Sequence, residues 1–447
     1  MRFRHSLWLL GAGLLTLAGA TLAAEPQILP GENPNPVHLI RPPVAALSAM
    51  AQLGRAIFYD ASLSSSGQLS CASCHSPQHA YGPPHDGPVM LGGPKLSSQG
   101  VRAVPSLTYL ERQPPFGIGP ERGDNDDVNP AQILMQKAAL GQTAERAQKN
   151  AAQTEQAAVN MVPQGGLFWD GRANTLQEQA IAPLLDPREM DGGSIETVAA
   201  KLREAPYSHR FVELFGPGMF GNLRLLVAEA MFAVGRYQVE DPSFHPYTSK
   251  FDYWLEGKAR LSDAEMRGYN LFNDPKKANC GGCHSAQPTR DGLPPLFTDH
   301  QYEALGAPRN RALSANDDPN YFDLGICGPV RSDMATETQY CGMFATPTLR
   351  NTTTRRTFFH NGVFRTLQEV MDFYNFRDTD PQKVYPRSAD GTVQKYDDIP
   401  VRFQANVDVA DAPFDRHLGD MPAMTAQDEA DIIAFLQTLT DGYKLDK

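Results

Sequence analysis

A mainly helical chain that uses one structural plan twice is the fold class this sequence predicts. Three observations carry it. Apolar residues recur at helical spacing in stretches opened by capping residues, as in Ser262-x-x-Glu265, Thr366-x-x-Glu369 and Thr425-x-x-Asp428. Few stretches alternate apolar and polar residues as half-buried strands do. The segment Cys71-Ala72-Ser73-Cys74-His75 returns as Cys280-Gly281-Gly282-Cys283-His284.

C-x-x-C-H is the attachment signature of a c-type haem. Two cysteines three apart lie on one side of a helical turn, so both sulfurs reach the two vinyl groups of one haem. The histidine after them lies under the ring as proximal iron ligand. A zinc site would need a second Cys/His pair near each motif, and none is present. Each motif comes after a helix and a short loop, so the expected architecture is two tandem cytochrome c-like haem domains with long connecting loops.

The chain opens with Met1-Arg2-Phe3-Arg4, an apolar run from Leu7 to Leu17, and small residues up to Ala24. This reads as a secretory signal peptide over 1–24, cut near Ala23 or Ala24, and implies a periplasmic protein. The run is too short to be a membrane anchor, and no later segment is apolar enough to span a bilayer. The formal charge of −11, without basic clusters, argues against nucleic acid or anionic membrane as partner. Of six cysteines four belong to the motifs. Cys327 and Cys341 remain, and in an oxidising compartment they read as a disulfide closing a loop of about 15 residues, worth about 3 kcal/mol. Zinc or a free thiol pair is the alternative.

The mature chain divides into an N-terminal domain, 25–240, and a C-terminal domain, 241–447. Residues 25–43, rich in Pro, Gly and Asn, read as an extended arm, and Val44 to Phe58 as a helix. Residues 111–160 read as a surface insertion, polar at first and then rich in Ala and Gln. Phe168-Trp169-Asp170-Gly171-Arg172 precedes a helix capped by Thr175-x-x-Glu178 and ended by Pro183 and Pro187. Gln179 and Pro183 share a face of it, and Glu189 comes after. The final helix should bury Ile432, Ile433, Phe435, Leu436 and Leu439, and is expected to pack back on the N-terminal domain.

A haem with two strong ligands only moves electrons, whereas one with an open face can meet peroxide. In the helix after Thr366, Met371 is the usual axial ligand type and Tyr374 the unusual one. Read by spacing alone, both are core residues on an apolar face. Glu189 is likewise a carboxylate after a proline turn, more often solvated than catalytic.

The chain resembles the bacterial dihaem cytochrome c peroxidase and MauG superfamily. The matching segments are Leu69-Ser70-Cys71-x-x-Cys74-His75, Phe168-Trp169-Asp170-Gly171-Arg172, the second C-x-x-C-H, Thr346-Pro347-Thr348-Leu349-Arg350-Asn351, and His360-Asn361-Gly362 with Thr366-Leu367 after it. The resemblance places the sixth ligand of the C-terminal haem at Tyr374, where common peroxidases carry Met, and so selects the MauG-like branch. The C-terminal third looks similar to the MbnH and BthA kind of member. Counting from Trp169, the resemblance assigns the peroxide site to Gln179, Pro183 and Glu189. Glu189 would be the acid/base and Gln179 would orient peroxide. Trp169 would lie between the haems as a relay. The distal histidine of common peroxidases has no counterpart at its usual spacing; His79 and His85 are the nearby candidates, and an open or water-bound first site is expected. A calcium held between the haems in many relatives loses its side-chain ligand here, because Ala103 stands where they have Asn.

Together the motifs and the resemblance imply an exported dihaem enzyme with two covalent c-type haems. It would react with hydrogen peroxide, share a two-electron oxidised state between the haems, and oxidise a side chain of a small exported partner protein. The alternatives are a detoxifying peroxidase fed by a small cytochrome or cupredoxin, and a non-catalytic dihaem electron carrier.

Overall fold

The computed structural model describes residues 29–121 and 161–445. The leader over 1–24 and most of the insertion, 122–160, lie outside the described residues.

In the first half, α1 (Ala49–Phe58) leads to the one-turn α2 (Cys71–Cys74). It starts later than the periodicity implies, because Ser48 caps it by accepting from the Ala51 amide. Among the described residues four helices come next: α3 (Leu176–Leu185), α4 (Ile195–Glu204), α5 (His209–Phe215) and the long α6 (Leu223–Glu240). Thr175 caps α3, but Glu178 accepts from the Asn174 amide rather than closing the expected box. Pro183 sits inside the last turn of α3 rather than ending it. A helix end tolerates the lost amide bond there better than its middle would.

The second half repeats the plan. After α7 (Lys250–Leu255), α8 (Asp263–Phe272) is closed by the Ser262–Glu265 capping box and leads to α9 (Cys280–Cys283). Then come α10 (Leu367–Phe376) and α11 (Ala426–Gln437), each with the expected box. Among the described residues the strands form three short antiparallel pairs: β1 (Leu91–Gly92) with β2 (Ser98–Gln99), β3 (Gly117–Pro120) with β4 (Met161–Gln164), and β5 (Tyr302–Glu303) with β6 (Phe344–Ala345). The β3–β4 ribbon closes the base of the insertion, so residues 117–120 are bonded into the fold rather than standing outside it.

Buried apolar residues gather into two large cores. One draws on residues between Leu53 and Phe244, the other on Leu39 and residues from Phe251 to Leu439. The same packing device positions both motifs. Gly54 of α1 lies so close to α6 that an added Cβ would meet the Ala233 carbonyl oxygen at 1.8 Å. Gly268 of α8 lies as close to α11, with the Asp431 carbonyl oxygen at 1.9 Å. Only a residue without a side chain lets the helices approach this far, and Phe58 and Phe272, four residues on, are then fully buried.

Two expectations about the halves are corrected. The arm, assigned to the first half, docks on the second. Val37 donates to the Leu255 carbonyl at 2.9 Å, Ile40 to that of Gly292 at 2.8 Å, and Leu39 joins the second core. Its backbone groups and its one buried leucine both find partners there. The final helix packs against α8 and α10 of its own half, not on the first half. Its apolar face, Ile432, Phe435 and Leu436, is complementary to Phe251, Phe272 and Phe297. Ile433 is only half-buried. Contact with the first half falls to Asp441 beyond the helix, whose carboxylate accepts from Tyr109.

Candidate functional site

Each C-x-x-C-H occupies a single helical turn that ends at its histidine. The His75 amide donates to the Cys71 carbonyl at 2.9 Å and the His284 amide to that of Cys280 at 2.8 Å. The imidazoles are oriented alike. His75 Nδ1 lies 3.0 Å from the Tyr81 carbonyl oxygen and His284 Nδ1 2.8 Å from that of Phe297. A carbonyl only accepts, so Nδ1 carries the proton and Nε2 presents its lone pair, as an iron ligand requires. Burial pushes both pKa values down to about 4, which keeps the rings neutral. The four cysteines form no disulfide, and burial pushes the Cys71, Cys74 and Cys280 thiols up to about 12.

A cavity of about 300 Å³ is lined by Gln179 and Trp169 and also by Cys280, Cys283, His284 and Tyr374. Two thiol pairs and two neutral imidazoles fit two covalently held haems, and the cavity adjoins the second motif. Tyr374 has no hydrogen-bond partner for its hydroxyl among the described residues; its ring stacks on Phe414 with centroids 5.2 Å apart. Burial, with Cys283 and Cys280 nearby, holds its pKa above the ordinary phenol value. Met371 also lines the cavity, but its side chain is packed into the second core at 5% exposed.

The candidate peroxide residues lie on and just after α3. Gln179 is buried on α3 and lines the cavity, with its side-chain amide unbonded among the described residues. Pro183 is half-buried one turn further, and its carbonyl accepts from Met190. Glu189 is held by a turn, its amide donating to Asp186 and its carbonyl accepting from Gly93. The residue is exposed, and protein atoms crowd its carboxyl. Withdrawal from bulk water, with Asp186 close by and Arg172 and Arg188 opposing, moves its pKa up to about 7. Its charge acts on Cys74, which places it on the first-motif side. His85 is exposed, and His79 Nδ1 lies 3.2 Å from Ser76 Oγ.

Trp169 joins the halves. Its indole N–H donates to the Ala103 carbonyl at 2.8 Å, and its own carbonyl accepts from Ala345 at 2.9 Å. The rest of its motif is structural. Asp170, fully buried, pairs with Arg102 at 2.7 Å and Arg172 at 2.9 Å. Gly171 has φ +68°, and an added Cβ would meet the Tyr302 hydroxyl at 2.2 Å.

Around the cavity, Arg102, Glu303 and Arg355 carry no local sequence signal, while His360 belongs to the His360-Asn361-Gly362 segment. Arg102 bridges Asp170 and Asp323, the latter 221 residues away. His360 stacks on Phe344 at 3.5 Å, and its Nε2 has no hydrogen-bond partner among the described residues. Glu303, with Asp408, Asp299 and Asp411 near, has its pKa raised to about 8, chiefly by burial. Arg355 lies against Val104 and Thr357. The Ala103 carbonyl is taken by Trp169, and no cluster of three or more His, Cys, Asp or Glu suited to a metal ion occurs among the described residues. Cys327 and Cys341 form the expected disulfide.

This geometry defines a c-type haem protein with two attachment sites. The family model for di-haem cytochrome c peroxidase matches residues 48–260. The MauG methylamine utilization protein of Paracoccus denitrificans is 30% identical over 334 residues, covering 73% of this chain and 74% of the relative. Cytochrome c551 peroxidase of Nitrosomonas europaea is 26% identical over 81% of this chain and 83% of its own. The solved diheme peroxidase BthA of Burkholderia thailandensis superposes with a TM-score of 0.73 and 33% identity, over 92% of this chain and 94% of its own. The chain belongs to the dihaem cytochrome c peroxidase and MauG family, on its MauG-like branch. It is an oxidoreductase with two covalently bound c-type haems. No helix among the described residues is long and apolar enough to cross a membrane.

Proposed function

We propose that this protein, acting in the periplasm, uses hydrogen peroxide to oxidise a side chain of a small exported partner protein. The two cores, one around each motif, are read as tandem haem domains on either side of residue 240. When bound, the haems supply the redox chemistry: peroxide takes two electrons and two protons and leaves as two waters, and the electrons come from the partner. Cys71 and Cys74 would hold one haem and Cys280 and Cys283 the other, with His75 and His284 as iron ligands.

The chain's own residues divide the remaining work. Gln179 hydrogen-bonds peroxide at the first haem, and Pro183 shapes the wall beside it. Glu189 takes a proton from peroxide and returns it to the leaving oxygen; a pKa about 7 suits both halves of that task. Trp169, bonded to both halves of the chain, offers an oxidisable ring between them. Tyr374 would supply an oxygen donor to the second haem. The observation that carries this reading is the unbonded Tyr374 hydroxyl lining the cavity beside the Cys280–Cys283 motif. An oxygen donor favours oxidised iron where methionine would favour reduced iron.

Peroxide added to the ferric protein tests it. A long-lived new absorption spectrum that decays when the partner is supplied is expected. Return to the ferric spectrum only with a reduced cytochrome or cupredoxin would make the protein a detoxifying peroxidase. No spectral change at all would leave an electron carrier.

A further inference from the structure

Arg355, half-buried at the cavity, differs from the arginines that hold the core together. Arg102 meets Asp170 and Asp323, Arg350 meets Asp252, and Arg377 meets Asp378, each with an oxygen at 2.7 Å. Arg355 lines the cavity, yet no acidic side chain among the described residues pairs with it. Its Nη2 donates to the Val104 carbonyl at 3.0 Å and its Nε to that of Thr357 at 3.3 Å. Carbonyls orient a guanidinium but do not neutralise it. Burial alone lowers its pKa to about 10. A guanidinium crowded by protein and turned to a cavity without a carboxylate points to an anion the protein chain does not supply.

The place of Arg355 narrows the choice. Its Nη1 is 3.6 Å from where a Cβ on Gly82 would lie, one residue after the Tyr81 carbonyl that orients His75. Its charge is felt at His75. Val104, which holds it, adjoins Ala103, which holds the Trp169 indole. A c-type haem carries two propionate carboxylates, and Arg is the side chain whose planar fork matches a carboxylate.

We propose that Arg355 anchors a propionate of the haem carried by Cys71 and Cys74, as a positioning residue that spans the two halves of the chain. It rests on haem attachment at that motif, not on the partner-oxidation reading. A positive charge beside a haem favours the reduced iron, so removing it lowers the midpoint potential.

The test uses the two-haem protein with Arg355→Gln and Arg355→Lys, read by spectroelectrochemical titration and by the haem propionate bands in resonance Raman spectra. In Arg355→Gln a lowered potential of the His75-linked haem alone is expected, with a displaced propionate band. Arg355→Lys keeps the charge but not the fork, so the band moves while most of the potential is kept. If Gln does not accumulate with two haems, the band in Arg355→Lys decides. A parental band in a loaded variant overturns the proposal, as does a change confined to the His284-linked haem. None of these measurements involves turnover, so a protein inactive toward any partner still decides the matter.

Discussion

At Glu189 the carboxyl has a pKa of about 7 because protein surrounds it and Asp186 is near. Below that value it is protonated and cannot accept a proton; above it the carboxylate can. The stopped-flow rate of the peroxide reaction should therefore rise with pH through about 7. Glu189→Gln should lose that limb and slow the reaction by about 10²–10⁴-fold; an unchanged profile removes Glu189 from the mechanism. At Tyr374, substitution by Met should raise the potential of the second haem in a redox titration and shorten the life of the oxidised species. The phenol is within a cavity that already holds aromatic and apolar side chains, so the change in volume is small beside the change in donor atom.

Among the elements, the two helix crossings at Gly54 and Gly268 set where each C-x-x-C-H turn sits. Carbonyl oxygens within 2 Å of the missing Cβ belong to backbone and cannot swing aside. Gly54→Ala or Gly268→Ala should cost about 1–3 kcal/mol in denaturant unfolding of the haem-loaded protein. A melt indistinguishable from the parent would show that the helices part without penalty. The capping boxes of α8, α10 and α11 were legible from the residues alone, because a cap and its partner are three positions apart. The α3 cap was only half legible: Glu178 had a competing amide at Asn174 within reach.

Over the whole molecule, the halves are joined by a buried ionic network through Arg102, Asp170 and Asp323. Burial opposes the charge on Asp323, but Arg102 more than offsets it and holds the pKa below the usual carboxylate value. Such a group stabilises the fold above the pKa of its unfolded form, and the contribution is lost as pH falls through the folded value. Asp323→Asn should therefore flatten the acid limb of the stability profile in unfolding measured below about pH 4. Because Asn leaves Arg102 with one acid of two, a loss at neutral pH of up to about 3–5 kcal/mol is expected. A parental acid limb would show that the link contributes nothing to holding the halves together.

By itself the amino-acid sequence determined the number of haems, their attachment residues, the proximal histidines, the capped helices and the disulfide pair. These depend on neighbours a few residues apart, or on one remaining pair of cysteines, and helix geometry converts such spacing into position. Only the tertiary structure decided that the arm serves the second core, that the last helix stays in its own half, and that Trp169 is bonded to Ala103 and Ala345 at once. It also decided that Arg355 enters the cavity without an acid, whereas Arg102, Arg350 and Arg377 each meet one. Those outcomes depend on packing between residues tens to hundreds of positions apart, where no local periodicity constrains which polar groups will meet.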